Sequence, residues 1–122
     1  MIRNIAQAIG TRYYSSAQQV DTFTPSNITI GDVFTLTVVD YNFNSDSIEY
    51  TAVDELAATV SGALITLWNN EAGSLFTPIT ATGTDTVILT ADAVTTAFTV
   101  IQTATVGASF TRSPTTPTAA IR

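Results

Sequence analysis

The sequence predicts an α+β fold: a small, mostly antiparallel β-sheet with one helix packed on one face, and extended N- and C-terminal arms. Three observations predict it. Thr fills about one position in five, and β-branched residues suit the half-buried pleated surface of a sheet. Several short runs alternate apolar and polar residues, the period of a strand with one buried face. A single stretch after residue 55 repeats its apolar residues at helical spacing. The 122 residues fit one domain of ordinary size and can bury a core without disulfide or metal support.

Taken in order, residues 1–21 read as an N-terminal arm, 22–107 as a compact body and 108–122 as a C-terminal arm. Ile2, Ile5, Ala6 and Ile9 fall at i, i+3, i+4 and i+7. Ten residues cannot hold a helix alone in water, so this piece is expected to dock on something if it is ordered. Residues 12–24 are compatible with a strand that Pro25-Ser26-Asn27 interrupts. Gly31-Asp32 signals a turn. Phe34, Leu36 and Val38 then alternate with Thr35, Thr37 and Val39, the clearest strand of the chain. The polar connector 41–47 leads to Ile48, Tyr50 and Ala52, alternating with Glu49 and Thr51, which completes a β-hairpin.

The helix has its core face at Leu56, Val60, Leu64 and Leu67, with Ala63 beside them. Thr51 and Asp54 resemble a loose capping box, and Asp54 and Glu55 put negative charge near the positive helix end. Gly62 costs about 1 kcal/mol relative to Ala in mid-helix and is expected to permit close packing on the sheet. Asn69-Asn70 and Gly73 end the helix, with Trp68 at the core edge. A second hairpin follows, 79–82 with 87–91 about a turn at Gly83-Thr84-Asp85. The last strand runs over 98–106, with Phe98, Val100 and Gln102 on one face.

Charge is scarce and segregated. Only 11% of residues are charged, against roughly 25% in typical soluble domains. The four basic residues are Arg3, Arg12, Arg112 and Arg122, all in the terminal segments, whereas all ten acids lie between Asp21 and Asp92. An arm of one subunit is thus attracted to the acidic body of the next, and guanidinium–carboxylate pairing can fix the register. Arg3, Ile5, Ile9, Arg12, Arg112 and Arg122 are the candidate assembly residues of the arms. The acidic body argues against nucleic acid as a partner. No run approaches the ~18 apolar residues of a membrane span, and the opening residues lack the apolar segment of a secretory signal.

The chain contains no His, Cys or Lys. That excludes a Ser-His-Asp triad, a Cys-His pair, a Schiff-base lysine and histidine-ligated zinc. Paired carboxylates drawn from Glu49, Glu55 and Glu71 are the remaining hydrolytic option. Each has a plain structural place: a strand, a helix start and a loop. Asn42, Asn44, Asp46 and Glu49 offer oxygen ligands for calcium, but without the central Gly and closing Glu of an EF-hand loop, so a polar hairpin loop is the simpler reading. The expectation is therefore no catalytic residue, no cofactor and no metal.

The stretch 22–100 is similar to a module of tailed-phage structural proteins. The residues that carry the resemblance are T-F-T-P-S-N-I-T-I-G-D-V-F-T-L-T-V, then D-E-L-A-A-T-V-S-G-A-L-I-T-L-W-N-N, T-D-T-V-I-L-T-A-D and A-F-T-V. They cover about two thirds of the chain. The sequence departs from the module by the insertion 41–47 and by Thr95-Thr96-Ala97 in place of Gly-Val-Pro. The resemblance implies a non-enzymatic virion protein assembled in the host cytoplasm, with copies of itself and a major capsid protein or other virion proteins as partners. A capsid decoration (cement) subunit is the first expectation, and a tail-tube or other filament subunit the second. The third is a carbohydrate-binding or adhesive module built on Tyr13, Tyr14, Tyr41, Phe43, Tyr50 and Trp68.

Overall fold

The computed structural model describes residues 18–40, 42–71, 73, 75–93 and 98–114. Among these residues the architecture is α+β, with seven antiparallel strands and one helix. The strands are β1 (Val20–Ser26), β2 (Val33–Val39), β3 (Ser45–Thr51), β4 (Ile79–Thr82), β5 (Val87–Ala91), β6 (Thr99–Ala104) and β7 (Ser109–Pro114); α1 (Ala57–Asn70) lies between β3 and β4. They form two sheets rather than one, a four-stranded sheet in the order β4-β5-β1-β7 and a three-stranded sheet in the order β3-β2-β6. The split has a simple cause. A helix about 10 Å wide covers only two or so strands spaced 4.8 Å apart. Seven strands with one apolar face each must therefore cover one another.

Alternation places the side chains. β2 buries Phe34, Leu36 and Val38, and leaves Val33, Thr35, Thr37 and Val39 on the other face. β5 does the same with Val87, Leu89 and Ala91. The expected hairpins are present, β2 with β3 and β4 with β5. β6 and β7 lie side by side, which closes one flank of the two sheets. α1 closes the other, packing against β3 of one sheet and β4, β5 and β1 of the other. The core between them is aromatic at the crossing. Phe110 meets Phe34 edge-on at 5.4 Å and Phe23 at 6.0 Å, joining the two sheets. Trp68 meets Phe76 edge-on at 4.8 Å under the helix. Such pairs add about 0.5–1.5 kcal/mol each beyond the area they bury.

Three expectations change. The helix buries Val60, Ser61, Leu64 and Trp68, while Leu56 and Leu67 are exposed to 61% and 37%. At 100° per residue the buried face is turned roughly 70° from the expected stripe. The reason is Trp68, whose indole is buried and donates Nε1–H to the Ile79 carbonyl at 3.0 Å. Leu56 precedes the first helical residue, and Asp54 arranges the entry: its carboxylate accepts Leu56 N–H (3.0 Å) and Thr59 Oγ–H (3.0 Å). A Cβ added at Gly62 meets nothing within 4 Å, so that residue is not a close-approach site. Finally, the expected arms overlap the body: the 21/22 boundary falls inside β1, and residues 109–114 of the expected C-terminal arm form β7 of the four-stranded sheet. β1 already starts at Val20, and β7 pairs along it from Ser26↔Ser109 to Asp21↔Pro114. Apolar anchoring by Phe110 in the core draws this stretch into the body.

Candidate assembly surfaces

The outward faces of both sheets are where the Thr of the composition goes. Register puts Val20, Thr22 and Thr24 of β1 beside Thr90 and Ile88 of β5 and Ser113 and Thr111 of β7. Thr80 and Thr82 of β4 extend the same face. No strand residue on this face is charged. The outward face of the three-stranded sheet pairs Thr35 with Glu49 and Thr103, and Thr37 with Ser47 and Ile101. Glu49 is its one charged strand residue, and the Thr37 and Ser47 hydroxyls lie 2.8 Å apart. β-Branched hydroxyl side chains are stiff, so these faces lose little conformational freedom when covered.

The edges are closed by other means. On β4, Ile79 N–H donates to the Phe76 carbonyl (3.0 Å), and the Ile79 carbonyl takes the Trp68 indole proton. Asn69 completes the edge: its Nδ2–H donates to the Ala81 carbonyl (2.9 Å) and its Oδ1 accepts Ala81 N–H (3.1 Å). One carboxamide thus stands in for a neighbouring strand. On the edge strand β3, Asp46 pairs with Val38 and so sits on the core-facing side of the pleat while remaining exposed. An inward-set charge of this kind discourages pairing by another chain.

One end of the body carries four exposed apolar side chains. Gly31 N–H donates to the Ala52 carbonyl, and Ala52 N–H to the Asp32 carbonyl, both at 2.8 Å. Thr105 N–H donates to the Val33 carbonyl (3.1 Å), and Val33 N–H to Thr105 Oγ1 (2.8 Å). These bonds gather the loops around 30, 53 and 106 at one end of the sheets. Ile30, Val53, Leu56 and Val106 are exposed there, Val106 completely. Asp32, Asp54 and Glu55 surround them in sequence. The described chain enters at Gln18, before β1, and leaves at Pro114; both lie at the opposite end, where Asp21 pairs with Pro114.

The residues singled out from the sequence fall as follows. Arg112 belongs to β7, where its guanidinium holds the buried Asp21 carboxylate at 3.0 Å, so its charge is used within the chain. Arg3, Ile5, Ile9, Arg12 and Arg122 lie outside the described residues, as do Tyr13, Tyr14, Tyr41 and 95–97. Glu55 and Glu71 stand at opposite ends of α1, roughly 24 Å apart at 1.5 Å per residue, beyond the separation of glycosidase carboxylates. Asp46 and Glu49 lie on opposite faces of β3 and do not converge with the hairpin tip. That tip is organised by Asp40, whose carboxylate accepts Asn42 N–H (2.8 Å), Asn44 N–H (3.0 Å) and Asn44 Nδ2–H (3.2 Å). Desolvation pushes the Asp40 carboxyl up, but the Asn44 side chain and the Asn44 and Asn42 amides outweigh it and hold it below its ordinary value. Trp68 is buried in edge-to-face contact with Phe76 and offers no open ring to a sugar, while Phe43 stands 88% exposed on the hairpin tip. A shallow cleft of about 230 Å³ runs past Asn69, Glu71, Thr77 and Thr80, smaller than most small-molecule sites. Among the described residues, no three His, Cys, Asp or Glu side chains cluster to hold a metal, and no helix is long and apolar enough to cross a membrane.

The surfaces that sequence reasoning missed are the apolar end and the Asn69 edge. Their residues are far apart in the chain and adjacent only through the strand register. The chain matches no protein-family model, no curated protein and no solved structure.

Proposed function

We propose that this chain is a non-enzymatic structural subunit of a virion, a capsid decoration (cement) protein that stabilises a shell through its body and terminal segments. The observation that carries the reading is the hydroxyl-covered outward face of the four-stranded sheet, whose strand residues carry no charge and which meets one carboxylate, Asp92, at Thr80 on its β4 side. A surface that stays in water usually carries charges of both signs. This one suits packing against a neighbour at low desolvation cost over β1, β5 and β7, where no strand residue on this face is an ion that must leave water. The closed β4 edge and the inward-set Asp46 favour face contacts over strand addition. A protein that binds only the assembled lattice stabilises that lattice by mass action. The virion setting rests on the resemblance of residues 22–100 to tailed-phage structural modules. A tail-tube or other filament subunit is the second reading, favoured by the apolar loops and the chain exits lying at opposite ends of the body.

The test is light scattering across a dilution series, comparing the wild-type chain with a Thr22→Glu/Ile88→Glu variant at the centre of the uncharged face. A discrete small oligomer that the variant loses supports the decoration reading, and species that keep growing support the filament. Equal masses for wild type and variant remove this face from assembly. A monomer at every concentration removes self-assembly altogether.

A further inference from the structure

We propose that the apolar end of the body, formed by Ile30, Val53, Leu56 and Val106, is the docking site for residues 1–12 of a second copy of the chain. The inference rests on the reading of the protein as a self-assembling subunit and names the contact that joins its copies.

The patch asks for a cover. Four of the large apolar side chains exposed among the described residues sit on three loops that hydrogen bonds hold together. A cluster of this kind on a soluble domain marks an interaction surface. Its surroundings are acidic, with Asp32, Asp54 and Glu55 adjoining it in sequence. The partner that fits is therefore a short apolar element carrying positive charge. Residues 1–12 have that composition. Ile2, Ile5 and Ile9 repeat at helical spacing, Arg3 and Arg12 accompany them, and there is no acid. The charge balance of the chain points the same way. The described residues hold all ten acids and one Arg, already engaged with Asp21, and so carry −9; the terminal segments outside them hold the other three Arg and carry +3.

Chain length favours a neighbour's body over the segment's own. The described chain begins at Gln18, beside the start of β1, and the patch lies past the end of that strand. Seven residues of β1 rise about 23 Å, and the eight residues 10–17 between Ile9 and Gln18 reach at most about 29 Å fully extended. Only a fully stretched linker would bring Ile9 round the end of the strand, at a high cost in chain freedom. A copy stacked with its chain entry toward the patch brings the segment there directly. The contact is heterologous, so it closes into a ring or runs on as a filament, according to the rotation between neighbours.

Two variants of the full chain test it. One carries Ile5→Glu and Ile9→Glu, the other Val53→Glu and Val106→Glu; all four side chains are outside the core or the described body, and circular dichroism checks that both fold. Each alone should self-associate roughly tenfold or more weakly than wild type by sedimentation velocity. An equimolar mixture should form a one-to-one dimer, because the intact segment of the second variant meets the intact patch of the first. Rising salt should weaken the wild-type contact. If both variants keep the wild-type mass while Thr22→Glu/Ile88→Glu loses it, the face-mediated assembly stands and this docking is wrong. If the mixture yields no dimer although each variant is monomeric, the segment and the patch are not partners.

Discussion

At the scale of the residue, two glycines with the same identity in the sequence have opposite meanings. Gly62 is in mid-helix with open space where a Cβ would go. Replacing it with Ala removes backbone freedom from the unfolded chain without a clash. Gly62→Ala should raise stability by about 1 kcal/mol in urea denaturation. Gly83 turns the β4–β5 hairpin at φ +123°, and a Cβ there would clash with the Thr86 carbonyl oxygen. Gly83→Ala should cost at least about 1–3 kcal/mol, since the turn must open. Equal midpoints for the two variants would contradict the backbone geometry. Ser61 is fully buried in the same helix, and its hydroxyl has no hydrogen-bond partner among the described residues.

At the scale of the element, the β4 edge shows how a helix end can finish a sheet. Asn69→Ala leaves the Ala81 N–H and carbonyl without partners at the rim of the core. The loss should be about 1–3 kcal/mol, measured by thermal or urea unfolding, with faster aggregation at high concentration as the edge opens. Unchanged stability would show that water replaces the carboxamide without penalty. The strands and the helix were legible because their periods are local: Phe34, Leu36 and Val38 alternate, and Val60 and Leu64 are four apart. The α+β class followed from that. What was not legible depended on partners distant in sequence. Asn69 reads as a helix stop, and only the fold puts Ala81 beside it. Leu56 and Leu67 belong to a plausible apolar stripe, and only the Trp68 contact with Ile79 shows that the helix is turned away from them. Arg112 sits among Thr, Ser and Pro and resembles a tail, yet Phe110 two residues earlier anchors that strand. The candidate surfaces follow the same rule. Their composition is visible as many Thr and few charges, but which Thr share a face is fixed by register.

At the scale of the whole molecule, the two sheets are held together by more than apolar packing. At the end where the described chain enters and leaves, Gln19 donates Nε2–H to the Phe98 carbonyl (2.8 Å) and accepts Phe98 N–H at 3.1 Å, linking the start of β1 to the start of β6. The Gln19 amide also reaches Asp21 at 3.4 Å, and Asp21 takes Arg112 on β7. This is one polar network set into the core face, with Asp21 1% exposed and the Arg112 side chain 39% exposed. Such a pair adds little stability over an apolar one, but removing one partner strands a charge. Arg112→Ala should therefore destabilise by about 3 kcal/mol, the lower end of the range for buried pairs, because water already reaches the guanidinium. Adding Asp21→Asn to that variant removes the stranded charge and should restore a large part of the loss, a coupling that a double-mutant cycle measures. Additive losses would mean that Asp21 and Arg112 act independently. In that case the network does not fix how β7 sits on β1, and Phe110 alone holds the last strand in the body.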